Sequence, residues 1–224
     1  MNIAGLIDHT LLRPDAGPKQ VERLCAEARE FGFWSVCVNS CWLPMCRRLL
    51  EGTDVRTGTV VGFPLGAALR EAKAAEAALA VKLGADELDM VMNIGWLKAG
   101  ENRLVLADIR AVADAAPGRV VKVIIEACLL TSEEKERAAR LAVEAGAQFV
   151  KTSTGFSTGG ATVEDVGLLR RVVGPEFGVK AAGGISDLAT LEAMVGAGAN
   201  RIGTSSGVAI VEEAAAGSRG ESNN

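Results

Sequence analysis

Three stretches of this chain repeat one pattern. GADELDMV, GAQFVKTS and GANRIGTS each leave a helical run through Gly-Ala and a polar residue, then enter a short strand-like run. A helix that returns the chain to the start of each new strand makes neighbouring strands parallel, joined by right-handed crossovers. The runs GLIDHT, WSVCVN, VRTGTVVGF, ELDMVMN, VVKVIIEA, QFVKTS, GVKAA and NRIGT supply eight such strands. Eight strand–helix units predict an α/β fold, a (β/α)8 TIM barrel closed on itself. A doubly wound open sheet is the alternative arrangement of the same units.

The runs between the strands have helical periodicity. In PKQVERLCAEAREFG, Val21, Leu24, Cys25 and Ala28 share one face, Pro18 suits the first turn, and Gly32 suits the position just past the end. Helices are expected likewise in LREAKAAEAALAVKLG, ENRLVLADIRAVADAAPG, TSEEKERAARLAVEAG, TVEDVGLLRRVVG and SDLATLEAMVGAG, with a further one after the last strand. Thr131 and Glu134 have capping-box spacing, and Thr162 with Asp165 is a looser acidic version. No linker interrupts the series. Residues 1–224 therefore read as one barrel domain, with about 217–224 as a mobile C-terminal tail.

At 224 residues and 49% hydrophobic composition, the chain can fill one substantial core. Its 24 basic and 28 acidic residues form no basic stripe, which argues against nucleic acid as a partner. Apolar runs such as VVKVIIEACLL are broken by charges and too short for a bilayer, so no membrane association is expected. The start, MNIAGLIDHTLLRPD, has neither a basic leader nor a cleavage pattern, and the five cysteines include no C-x-x-C pair. Both features suit a reducing cytoplasm. His9 is the only histidine. A zinc site of two or three imidazoles therefore cannot form within one subunit, and no metal or cofactor is expected.

Strand side chains alternate between faces. Lys122, Ile124 and Glu126 oppose Val121, Val123 and Ile125, while Glu87, Asp89 and Asn93 oppose Leu88, Met90 and Met92. Lys151 and Ser153 oppose Val150; Cys37 and Asn39 oppose Val36 and Val38. With the apolar faces packed on helices, the polar ones converge on the barrel axis, which a merely structural barrel fills with branched aliphatics. Lys151 runs directly into TSTGFSTGG and so belongs near the C-terminal mouth, where barrel enzymes work. An amine of ordinary pKa, about 10.4, is a poor nucleophile; removal from water and a neighbouring cation both favour its neutral form. Lys180 in GVKAAGG is the candidate cation, and Asp89 the candidate for holding water or moving protons. A single strand lysine is more often a structural ion-pair partner. Two lysines and an aspartate at one barrel end favour chemistry.

Gly183 and Gly184 follow the seventh strand, Gly203, Ser205 and Ser206 end the eighth, and Gly155 follows the sixth. Together they read as a phosphate cradle, because glycine lets backbone N–H groups approach an anion and the next helix offers its N-terminus. The blander reading is a tight turn and a helix cap. His9 reads as a hydrogen-bonded structural group, and Cys37, facing the axis, as a pocket-lining or inert thiol.

DHTLL, SVCVN, VVGFPLG, GADELDMVMNIG, KVIIEACLLT, FVKTSTGF, VKAAGGI and RIGTSSG, in order from about residue 8 to residue 207, resemble the motif series of the deoxyribose-phosphate aldolases. The resemblance implies a (β/α)8 barrel and a metal-free Schiff-base aldolase. Such an enzyme reversibly cleaves 2-deoxy-D-ribose 5-phosphate to D-glyceraldehyde 3-phosphate and acetaldehyde in cytoplasmic deoxyribonucleoside catabolism. By this resemblance Lys151 is the Schiff-base lysine, Asp89 the proton-transfer carboxylate and Lys180 the second active-site lysine. Gly155, Gly183, Gly184, Gly203, Ser205 and Ser206 fall on phosphate-contacting positions, and Asp8, Cys37 and Lys122 on pocket-lining ones. The implied partners are a phosphorylated sugar and small aldehydes, and the implied assembly is a homo-oligomer, a dimer or larger. Some members carry a tyrosine on a C-terminal tail; this chain has no tyrosine, so a tail-assisted proton relay is not expected. Two other readings stay open. A phosphate-binding isomerase would keep the strand 7–8 glycines without needing the lysine pair, and an inert barrel would bind a phosphosugar without turnover.

Overall fold

Strand and helix alternate along the computed structural model, which describes residues 2–221 and, from residue 218, the backbone alone. The strands are β1 (Ile7–Leu11), β2 (Ser35–Val38), β3 (Arg56–Val61), β4 (Glu87–Val91), β5 (Val120–Ile124), β6 (Phe149–Lys151), β7 (Gly178–Ala182) and β8 (Arg201–Thr204). They pair in parallel and in chain order as a closed barrel. The seam lies where β1 meets β8, through Ile7–Ile202, Asp8–Gly203 and His9–Thr204. The expected (β/α)8 barrel is the one observed; the open sheet is not.

Around the barrel run α1 (Pro18–Phe31), α2 (Leu43–Leu49), α3 (Arg70–Lys82), α4 (Ile94–Lys98), α5 (Asn102–Ala115), α6 (Ser132–Glu144), α7 (Val163–Val173), α8 (Leu188–Gly196) and α9 (Gly207–Glu221). α2 and α4 have no counterpart in the sequence reading. At seven and five residues they are too short to display a helical period. The backbone of α9 continues through the start of the expected tail, and residues 222–224 lie outside the described residues.

Local signals act where the sequence places them. Gly32 closes α1 with φ of 68°, a left-handed conformation that residues with a Cβ adopt at a cost. At α6 the capping box is complete: Glu134 N–H donates to Thr131 Oγ1 at 3.3 Å, and Thr131 N–H donates to Glu134 Oε2 at 2.9 Å. Such a cap contributes about 1 kcal/mol. At α7 only the forward half forms, Asp165 N–H to Thr162 Oγ1 at 3.1 Å.

The apolar core lies between strands and helices. Val36, Val38, Leu88, Met90, Val123, Val150, Val179 and Ile202 face outward and are buried with Val21, Leu24, Ile109, Val112, Leu169 and Leu191 of the helices. Each such side chain contributes about 1.5–3 kcal/mol when fully buried. That shell carries the apolar stabilisation and leaves the inward faces to polar groups. Among the described residues, no helix is long and apolar enough to cross a membrane.

Candidate active site

Alternation along β1, β4, β5, β6 and β7 sends Asp8, Asp89, Lys122, Lys151 and Lys180 to the barrel axis, where they join one ion-pair cluster. Asp89 Oδ2 accepts from Lys151 Nζ at 2.8 Å and from Lys180 Nζ at 2.7 Å; its Oδ1 accepts from Lys122 Nζ at 2.8 Å. Lys180 Nζ also donates to Asp8 Oδ2 at 2.5 Å, and Ser35 Oγ donates to Asp8 Oδ1 at 2.8 Å. Towards the strand beginnings, Lys122 Nζ lies 2.6 Å from Glu87 Oε2, and Arg201 Nη1 lies 3.1 Å from both Glu87 Oε2 and Asp8 Oδ1. Trp34 closes the lower end. Its Nε1 donates to Glu87 Oε1 at 2.8 Å, and the Arg201 guanidinium stacks 4.2 Å from its ring.

These side chains are at most 7% exposed, so each charge must find its counter-charge inside the barrel. An unpaired ion there costs several kcal/mol. Yet four cations, Lys122, Lys151, Lys180 and Arg201, share three carboxylates, Asp8, Glu87 and Asp89. One cation is in excess. Burial pushes the Lys151 pKa down, the Lys180 cation pushes the same way, and Asp89 only partly opposes them. For Lys180, burial is outweighed by Asp8 and Asp89, which hold its pKa up. Lys122 is raised in the same way by Asp8, Asp89 and Glu87 against burial. Burial would raise Asp89, but three lysines hold it well below the usual carboxylate range. Asp8 is lowered likewise, by Lys122, Lys180 and Arg201 against burial. Lys151 is thus the lysine of the cluster that releases its proton most readily.

Above the cluster, at the C-terminal ends of the strands, opens a cavity of about 480 Å³. Lys151 reaches its floor, and Gly155, Gly183, Gly184, Gly203, Ser205 and Ser206 all line it. Gly183 has φ of 90°, and a Cβ there would stand 2.9 Å from Gly160 Cα, so only glycine fits. Ser205 and Ser206 immediately precede α9, whose first turn has backbone N–H groups without helical partners. Asp8, Cys37 and Lys122 do not line the cavity as expected. They lie beneath its floor at 0%, 2% and 1% exposure, because they sit one layer down the strands; Thr10, two residues beyond Asp8, takes the wall position. Asp89 and Lys180, 1% and 0% exposed, likewise lie beneath Lys151 and not in the cavity wall. Burial, then Asp89, pushes the Cys37 thiol pKa up. His9 points away from the axis, its Nε2 2.8 Å from Glu27 Oε2.

A sequence model described as DeoC/LacD family aldolase matches residues 3–213. The chain belongs to that family. A deoxyribose-phosphate aldolase of Geobacillus sp. (strain WCH70) is 62% identical over 212 residues, 94% of this chain and 95% of that one. Another, from Coprothermobacter proteolyticus, is 61% identical over 208 residues, 93% of this chain and 95% of that one. Among solved structures, the tetrameric deoxyribose phosphate aldolase from Aeropyrum pernix superposes with a TM-score of 0.88 at 37% identity. It covers 94% of this chain and 89% of its own.

In this DeoC/LacD family chain, sequence reasoning missed Arg201 and Glu126. Arg201 was accessible to it: the alternation that points Gly203 inward puts Arg201, two residues earlier, on the same face. Alternation put Glu126 on the polar face with Lys122, but β5 ends at Ile124 and the role of Glu126 depends on its backbone. With φ of 50° it is the one non-glycine described residue in the left-handed region. Its carboxylate accepts from Thr154 N–H at 3.1 Å and from Thr154 Oγ1 at 2.5 Å, fixing the loop that carries Gly155. Such a conformation costs about 1–3 kcal/mol and persists where the surroundings enforce it.

Proposed function

We propose that this chain is a Schiff-base aldolase that reversibly cleaves 2-deoxy-D-ribose 5-phosphate to D-glyceraldehyde 3-phosphate and acetaldehyde, in deoxyribonucleoside catabolism. The observation that carries the proposal is the single Asp89 oxygen shared by Lys151 and Lys180 just beneath the floor of a glycine-walled cavity that Lys151 reaches. The relatives from Geobacillus and Coprothermobacter carry the name of this activity and cover nearly the whole chain.

In the proposed reaction the neutral amine of Lys151 attacks the C1 aldehyde of the open-chain sugar. The adduct takes up a proton and loses water, leaving a protonated imine whose charge faces Asp89. The imine draws the C2–C3 bonding electrons as the C3 hydroxyl passes its proton, through a water held between Asp89 and Lys180, to the Asp89 carboxylate, from which it can return to C2 of the enamine. That bond breaks, C3 becomes the aldehyde of glyceraldehyde 3-phosphate, and an enamine remains on Lys151. Protonation at C2 and hydrolysis release acetaldehyde and restore the amine. Three lysines hold Asp89 as the anion between turnovers, so it is ready to take that proton through the water. The imine is the electron sink, so this route needs no metal.

The phosphate is assigned to Gly155, Gly183, Gly184, Gly203, Ser205 and Ser206, which place an anion at the cavity's outer wall while the aldehyde meets Lys151. An isomerase or an inert binding barrel has no use for two buried lysines on one carboxylate, given the cost of burying them. We also assign the chain to the cytoplasm, supported by free thiols at Cys25, Cys37, Cys41, Cys46 and Cys128. We assign it as a homo-oligomer, which light scattering tests.

The deciding experiment is borohydride reduction in the presence of acetaldehyde or the sugar phosphate, without added metal, followed by peptide mass spectrometry. A reduced two-carbon adduct on Lys151 is the expected result. An adduct on Lys180 would reverse the lysine roles, and no adduct on folded protein would overturn the aldolase reading.

A further inference from the structure

We propose that Arg13 selects for phosphorylated sugars, its guanidinium exchanging Asp15 for the substrate phosphate. The inference rests on the sugar-phosphate reading above and names a residue which that reading does not use.

Among the described residues, the cavity wall carries two cationic side chains, Lys151 and Arg13, and no acidic one. Lys151 is at the floor, engaged with Asp89 and committed to the aldehyde. The assigned phosphate contacts are backbone N–H groups and serine hydroxyls, all neutral. Phe156, next to Gly155, and Ser186, two residues past Gly184, add no charge. A phosphate monoester brings a charge of about −1.5 to −2 at neutral pH. Arg13 is then the one wall cation free to meet it.

Its present engagement is easily exchanged. Arg13 lies in the β1–α1 loop, two residues beyond Leu11, and binds Asp15 through Nε–Oδ1 at 2.9 Å and Nη2–Oδ2 at 2.7 Å. The two side chains are 68% and 64% exposed, so water screens the pair and replaces it at little cost. The same planar fork that grips the Asp15 carboxylate matches two phosphate oxygens. Asp15 is therefore a competitor of the substrate for Arg13, and removing either partner should have effects of opposite sign.

The test compares kcat/KM for 2-deoxyribose 5-phosphate and for unphosphorylated 2-deoxyribose in wild type, Arg13→Ala and Asp15→Asn, with calorimetric titration of inorganic phosphate alongside. Arg13→Ala should lower the ratio of the two kcat/KM values about tenfold or more and weaken phosphate binding in step. Asp15→Asn should raise both. Equal losses on the two sugars in both variants would show that the pair only clips the loop and would overturn the assignment. So would an unchanged ratio in Arg13→Ala. Should wild type bind phosphate in an Arg13-dependent way yet turn over neither sugar, the aldolase reading falls and the Arg13 assignment stands.

Discussion

Lys151 and Lys180 donate to the same oxygen, Asp89 Oδ2, at 2.8 and 2.7 Å. Two ammonium groups on one oxygen, out of water, cannot both be comfortable, and the one with fewer carboxylates yields. Lys180 has Asp8 as well; Lys151 has Asp89 alone. The geometry therefore favours Lys151 as the proposed nucleophile. It also makes Lys151 the surplus cation of the barrel axis.

Replacing Lys151 with Leu should lower kcat by about 10⁴-fold or more, since the bond-forming atom is lost. The fold should not suffer. Because the folded-state pKa of Lys151 is lowered, its burial weakens the fold at every pH below that pKa, and the penalty fades as pH rises towards the unfolded value of 10.5. At neutral pH the variant should be unchanged or up to about 2 kcal/mol more stable. Denaturant unfolding beside steady-state kinetics checks both halves; a large loss of stability would contradict the surplus-cation account.

The acid limb of the kcat/KM profile should report Lys151 losing its proton, so activity rises with pH and levels off below the ordinary lysine range. Lys180→Gln removes the cation that helps to keep Lys151 neutral. Its acid limb should move to higher pH, with kcat falling about 100-fold or more as the water anchor is disturbed. A limb that stays in place would dissociate the two lysines.

Lys122 touches Asp8, Glu87 and Asp89 without reaching the cavity wall. Lys122→Met leaves three buried carboxylates with one cation fewer and should destabilise the protein by about 3–5 kcal/mol. The melting temperature and the unfolding midpoint would fall together. A loss within experimental error would mean that water enters the axis and screens these charges.

Gly184 has φ of 80° in the glycine turn of the cavity, with open space where a Cβ would sit. Gly184→Ala is therefore strained by its backbone rather than by a clash, and the turn should shift to relieve it. KM for the phosphorylated sugar should rise about tenfold while kcat changes little, because in the proposed pose the turn holds the phosphate and the reacting carbons meet Lys151. A fall in kcat with KM unchanged would place the turn near the chemistry instead.

Much of the barrel was legible because period-2 and period-3.6 patterns alternate without interruption, and because polar residues on strands announce their own direction. The inward direction of Asp89, Lys151 and Lys180 is read in that way. What failed was depth along the axis. Alternation says which face a residue takes and not how far it stands from the mouth, so Asp8, Cys37 and Lys122 were placed in the wall when they lie below it. Strand ends ran long for the same reason: Asn39, Asn93 and Ser153 continue the pattern after the ladder has stopped. Arg13 and Glu126 depend on loop geometry that no periodicity encodes.

Every axial charge is carried by a strand, whereas the cavity wall above Lys151 comes chiefly from the connections after β1, β6, β7 and β8. For protein engineering this separates two kinds of position. Lys151 apart, a single charge change on the axis strands other charges and demands a simultaneous second change, so stepwise selection has no easy path through it. Positions 10–13, 154–156, 185–186 and 204–206 can be varied one at a time, in focused libraries, to admit new aldehydes while Lys151 keeps its setting.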